Sequence, residues 1–200
     1  MPRFDQEWIE KLSGSDRERL SPPDSLLSLV RIAAGATVGD IGCGPGFLTL
    51  PAAERVGPKG TVWAIDQEPA MTRYVAAKAH ERGLSNVQVV ETSATNLPFK
   101  DYSLDAAIVA LLLHDLTPPV RILVLTEVRR VLHPNGRLLV IEWHVPGDDP
   151  SPHRLTPGVV IAEAKAAGFT AFAPTFFPGS PPPQSIEPTY AVIAEPRANA

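Results

Sequence analysis

The chain has a single cysteine in 200 residues, Cys43, which excludes an intrachain disulfide and suits a reducing cytoplasm. No run of about eighteen apolar residues occurs, so no membrane-spanning helix is expected. The N-terminus, Met-Pro-Arg-Phe-Asp-Gln, lacks the apolar centre of a secretion signal. Lysine is scarce, basic residues form no run, and the net charge is −4. A nucleic-acid partner calls for a Lys/Arg-rich face and is therefore not expected. No His, Cys, Asp and Glu residues recur at metal-ligand spacing, so no metal is expected either. What is present is a 44% apolar and 20% charged chain, which is globular composition and long enough for one domain with a full core.

The chemistry concentrates at Val38-Gly39-Asp40-Ile41-Gly42-Cys43-Gly44-Pro45-Gly46. A short apolar strand over 36–41 runs into a glycine-rich turn, and a helix begins at Phe47 and Leu48. Glycine at 42, 44 and 46 permits positive φ and lets backbone approach a ligand. The helix start offers N–H groups to that ligand. A second apolar run over 61–65 ends in Asp66, where nucleotide-binding α/β folds hold ribose hydroxyls. Two cofactors compete for the pattern. A dinucleotide fingerprint requires G-x-G-x-x-G, but its third glycine slot is Phe47. Asp40 beside a pyrophosphate would be repelled, whereas beside the amino group and sulfonium of S-adenosylmethionine it would be attracted. The remaining reading is a tight turn that the glycines and Asp40 merely shape. Asp66 has a similar alternative, as a cap for the helix that follows it.

Seven strands are expected, over 36–41, 61–65, 87–91, 104–111, 137–143, 169–177 and 189–194. Helices are expected between most of them. The nearly unbroken apolar run 104–111 suits a strand buried on both faces of a parallel sheet. Ser21-Pro22-Pro23-Asp24 reads as a helix start with Ser21 as N-cap, and that helix closes at Gly35. Pro51 suggests a kink early in the helix after the glycine loop. His133-Pro134-Asn135-Gly136 reads as a turn. Alternating strands and helices give an α/β, doubly wound, mostly parallel seven-stranded sheet. The last strand arrives without a crossover helix and should be antiparallel.

Taken together, Val38 to Gly46, Val62 to Met71, Thr92 to Phe99, Ser103 to Leu116 and Glu127 to His144 resemble the successive motifs of the class I S-adenosylmethionine-dependent methyltransferases, small bacterial type. The resemblance implies a Rossmann-like fold in one domain over 1–200. Its parts would be an N-terminal helical lid (1–34), a cofactor-binding core (35–145) and a C-terminal substrate-side part (146–200). It implies S-adenosyl-L-methionine as cofactor, with S-adenosyl-L-homocysteine as product. Asp40, Gly42, Cys43, Gly44 and Gly46 would surround the methionine and ribose, Asp66 would accept from the ribose hydroxyls, and Gln67 would flank the adenine. Ser93 and Ala94 would line the adenine edge. Relatives often place Asp where this chain has Ser93. Serine accepts a hydrogen bond but carries no charge.

Methyl transfer needs a nucleophile aligned with the C–S bond in a water-free site, plus a base where that nucleophile must lose a proton. His114 is the candidate base, because it follows strand four, where family members commonly present residues to the methyl. A histidine that only shapes the pocket is the alternative. Glu142, Trp143 and His144 end strand five and should face the crevice, and Trp143 and His144 are candidate substrate contacts. His153-Arg154 resembles a His-Arg pair of some small bacterial members, with Arg154 a candidate partner for an anionic substrate group; a solvated loop arginine is the alternative. Cys43 reads as a small turn residue, since a reactive thiolate needs a basic neighbour. The expected activity is methyl transfer to a small organic molecule. A non-catalytic cofactor-binding or scaffold protein on the same fold is the alternative. The chain looks closest to the quinone-biosynthesis and arsenite methyltransferase groups, and a lone cysteine speaks against the arsenite reaction.

Overall fold

Two runs of small and β-branched residues build the centre of the molecule. β1 (Thr37–Ile41) and β4 (Leu104–Ala110) pair in parallel, Val38 against Ala106 through Ile41 against Val109. The computed structural model describes residues 22–144, 154–177 and 188–197. Outward from β1 lie β2 (Thr61–Asp66) and β3 (Val87–Glu91), both parallel. Outward from β4 lies β5 (Leu132–Trp143), also parallel, then β8 (Thr189–Pro196), which runs antiparallel to it. The order is β3-β2-β1-β4-β5-β8-β6, with β7 on the same edge of β8 as β6. The doubly wound sheet with its antiparallel last strand is the expected fold, with eight strands among the described residues where seven were expected.

Helices cover both faces. α1 (Pro23–Leu29), α2 (Thr49–Val56), α3 (Pro69–Glu81), α4 (Pro118–Val131) and α5 (Pro157–Ala166) enclose two main apolar clusters. One cluster joins β4 and β5 to α4 and α5, through Leu104, Val124, Leu125, Leu138 and Val160. The other joins β1 and β2 to α1 and α2, through Leu27, Val38, Val56 and Val62. Proline opens four of the five helices at its first position, where a missing N–H loses no bond.

Five local expectations change. The α1 N-cap is Pro22, one residue later than the proposed Ser21, and α1 stops at Leu29, well short of Gly35. α2 starts at Thr49 instead of Phe47, which puts Pro51 in its first turn, where no intrahelical donor is lost. The turn at 133–136 lies inside β5 as a bulge: five residues, Leu132 to Arg137 after the first, face the two steps from Leu104 to Ala106. The run 169–177 is two pieces, β6 (Phe169–Ala171) and β7 (Thr175–Phe177). Pro174 lies between them and has no N–H for the ladder. Finally, β8 runs on to Pro196, past the expected end at Ala194. Most of the proposed lid, and residues 145–153 with His153, lie outside the described residues. None of the described helices is long and apolar enough to cross a membrane.

Candidate functional site

The strand order reverses between β1 and β4, and the carboxyl ends of these strands open a crevice there, as topology requires of a doubly wound sheet. A cavity of about 400 Å³ occupies it, a volume in the range of small-molecule sites. One side is built by the glycine loop. Gly42 and Gly46 hold φ of 72° and 85°. A Cβ at Gly42 would stand 2.9 Å from the Leu112 side chain, and one at Gly46 would stand 3.1 Å from Val75 Cγ2. Glycine is favoured at both by conformation, and the Leu112 and Val75 side chains would have to shift to admit a Cβ.

The loop spends its donors internally. The N–H groups of Gly42 and Cys43 both donate to Ile65 O, at 2.8 and 2.9 Å, and that of Gly46 donates to Cys43 O at 3.0 Å. Gly44 N–H donates to Asp66 Oδ2 at 2.9 Å. The other oxygen of Asp66 accepts from Glu68 N–H at 2.9 Å. Glu68, not Asp66, is the N-cap of α3. Asp40 is buried and accepts from Thr49 Oγ1 at 2.6 Å. Two carboxylates thus stand in the wall where a diphosphate cradle would present free amides. Cys43 lies between them, and burial first, then the charges of Asp40 and Asp66, push its thiol well above the ordinary range. That environment suits an inert turn residue.

The far side comes from the ends of β4 and β5. Leu111 sits in the left-handed region at φ 54°, a conformation that costs a non-glycine residue about 1–2 kcal/mol. It turns the chain across the cavity into a single 3-10 turn, Leu113–Asp115. His114 lies on that turn and lines the cavity. Its Nδ1 is 2.7 Å from Oε2 of Glu142, which is fully buried at the end of β5. Oε1 of Glu142 accepts from the N–H groups of Leu113 (2.9 Å) and His114 (3.3 Å). Burial alone would lower the His114 pKa. The hydrogen bond and charge of Glu142, helped by Asp115, outweigh burial and the opposing charge of Arg154, so the ring titrates above an ordinary histidine.

Of the candidate residues, Asp40, Gly42, Cys43, Gly44, Asp66, Gln67, Ser93, Ala94, His114 and Trp143 line this one cavity. Gly46, His144 and Arg154 do not. Gly46 turns its α-carbon toward Val75 and α3. His144 lies just past β5, its N–H bonded to Pro188 O at 2.7 Å and its ring edge-on to Phe176 at 4.6 Å. Arg154 is close enough for His114 to feel its charge. Ser93 Oγ is engaged with Thr95 Oγ1 at 2.9 Å.

The family described as "Methyltransferase domain" matches residues 38–136, the stretch that builds the crevice. Nocamycin O-methyltransferase of Saccharothrix syringae is 41% identical over 116 residues, 56% of this chain and 40% of that protein. Demethylmenaquinone methyltransferase of Geobacillus sp. (strain WCH70) is 30% identical over 132 residues, 66% of this chain and 56% of that protein. The crystal structure of a SAM-dependent methyltransferase from Aquifex aeolicus superposes with a TM-score of 0.80 at 28% identity, covering 96% of this chain and 98% of that one. The chain belongs to the class I S-adenosylmethionine-dependent methyltransferases. It spans about half the length of the curated relatives it matches.

Sequence reasoning missed several wall residues of this cavity. Phe47, Met71, Leu111, Leu112, Leu116 and Val120 give the cavity its apolar surface, but in the sequence each reads as ordinary core. It also expected Glu142 to face the crevice and gave it no role, whereas the side chain is fully buried under the His114 turn and does not line the cavity. A signal was present, since a glutamate ending an otherwise apolar strand (Leu138 to Ile141) needs a partner if it is buried.

Proposed function

We propose that this methyltransferase moves a methyl group from S-adenosyl-L-methionine to a small organic acceptor by in-line displacement, leaving S-adenosyl-L-homocysteine. The observation behind this reading is the pair Asp40 and Asp66 in the cavity wall, beside a glycine loop whose donors are already used. Such a wall repels a diphosphate and favours a ligand that carries positive charge near a ribose. Bound there, S-adenosylmethionine would supply a methyl carbon made electrophilic by its sulfonium.

The remaining work belongs to the protein's own side chains. Asp40 faces the cationic end. Asp66 accepts from the ribose hydroxyls in place of, or beside, its present backbone donors. Gln67, Ser93 and Ala94 border the base. Trp143, Leu116 and Val120 wall the acceptor side and exclude water. His114 stands where a proton leaving the acceptor would be collected. The two relatives named nocamycin O-methyltransferase and demethylmenaquinone methyltransferase favour a small-molecule acceptor.

The test is incubation of the protein and S-adenosylmethionine with a metabolite extract, followed by mass detection. Formation of S-adenosylhomocysteine together with a product heavier by one methylene is expected. Binding of the cofactor without turnover in any extract would point instead to a non-catalytic cofactor-binding protein.

A further inference from the structure

Glu142 is a charged group in a place that tolerates none without partners: it is fully buried at the end of a strand that is otherwise apolar inside. All three of its described donors come from one short turn. They are the amides of Leu113 and His114 on Oε1 and the His114 ring on Oε2. The parallel register explains the meeting. Ala110 pairs with Ile141, so the next residue of β5 lies beneath the chain as it leaves β4.

A carboxylate only accepts hydrogen bonds, so Nδ1 of His114 must carry a proton. The neutral ring then holds its lone pair on Nε2. That atom is 3.9 Å from Asp115 Oδ1, beyond hydrogen-bond reach, and the ring lines the cavity. We infer that Glu142 is a positioning residue, which holds His114 in the Nδ1–H tautomer so that Nε2 can take the proton of an acidic hydroxyl on the methyl acceptor. This rests on the methyl-transfer reading above.

The step balances. The acceptor O–H bond breaks and its proton goes to Nε2. An oxygen lone pair forms the new O–C bond as the C–S bond breaks, with the bonding pair left on sulfur as a neutral thioether. The imidazolium produced faces the Glu142 carboxylate, and the pair is neutral overall. An acceptor without a proton to lose, such as a thioether or tertiary amine, would leave the arrangement idle. A phenol or enol, with a pKa of about 10, lies closest to what an imidazole can deprotonate. The charged and titratable groups around the ring are Glu142 on β5, Asp115 on its own turn and Arg154. Behind Glu142, the Tyr190 hydroxyl on β8 donates to Leu155 O.

Nitrogen-15 NMR of histidine-labelled protein at alkaline pH reads the ring proton directly. Protonated Nδ1 and bare Nε2 are expected for His114. Glu142→Gln keeps the volume and can keep accepting from the two amides, but it must present its NH₂ to Nδ1. The proton should then move to Nε2, and product formation from the metabolite extract should fall at least about 10²-fold while the heat of S-adenosylmethionine binding is unchanged. The transferred methyl should be found on oxygen. A proton on Nε2 in the native protein, wild-type turnover by Glu142→Gln, or a methyl on a thioether or tertiary amine overturns the proposal. If Glu142→Gln does not fold, the native spectrum alone decides. Failure of the native protein to bind S-adenosylmethionine would sink the methyl-transfer reading, and the position of the ring proton would show separately whether Glu142 sets the tautomer.

Discussion

Asp66 is the residue where cofactor affinity should be lost first. Its carboxylate stands in the cavity wall at the tip of β2, and hydrogen bonds to a charged group contribute about 1.5–3 kcal/mol each. Asp66→Ala should therefore weaken S-adenosylmethionine binding by roughly 10- to 100-fold in calorimetry. An unchanged affinity would remove the ribose role. His114 offers a second test, through pH. Its folded pKa is raised, so the stability from its pairing with Glu142 is complete below the unfolded value of about 6.5 and is lost as pH rises through the folded value. The gap in Tm between the native protein and His114→Gln should thus be widest near pH 5.5 to 6 and shrink as conditions turn alkaline. Turnover should show the opposite trend, since a base must be neutral to accept a proton. A gap that widens with rising pH would contradict this pairing.

Between elements, α4 and α5 are tied by Arg121, whose Nε and Nη2 grip Glu163 at 2.7 to 3.0 Å while Nη1 holds Leu116 O at 2.9 Å. Both partners are largely buried. Removing one partner of a buried pair costs about 3–5 kcal/mol, because the other charge is left stranded. Arg121→Ala should lose about that much in urea unfolding, and Arg121→Met with Glu163→Met should lose clearly less. At this scale much of the molecule was legible before any coordinates. The apolar run expected as a strand over 104–111 forms β4, which stops one residue short at Ala110, and the alternation of strands and helices was readable from the apolar runs. What escaped were features that depend on distant neighbours. The break between β6 and β7 follows from Pro174 meeting a ladder whose partner, β8, is far along the chain. The contact of His114 with Glu142 spans 28 positions and exists only because β4 and β5 align in one register. The left-handed turn at Leu111 has no mark in the sequence at all, as leucine does not favour it.

Across the whole molecule, the site forms at the reversal of strand order, where the ends of β1, β2, β4 and β5 meet. The glycine loop and Asp66 were readable because they lie within one strand-turn-helix-strand unit. The opposite wall was readable only at His114 and Trp143, because the rest of it is assembled from aliphatic residues of several elements that carry no pattern of their own. A ligand that joins these elements should stabilise them together. At about 100 times its Kd, S-adenosylmethionine should add about 2.7 kcal/mol to unfolding.

The most direct test of a carboxylate-lined, cation-accepting cavity is paired calorimetric titration with S-adenosylmethionine and with NAD. Saturable heat with S-adenosylmethionine at one site per chain, lost or weakened in Asp66→Ala, and no heat with NAD is the expected result. Binding of NAD with none of S-adenosylmethionine would contradict it.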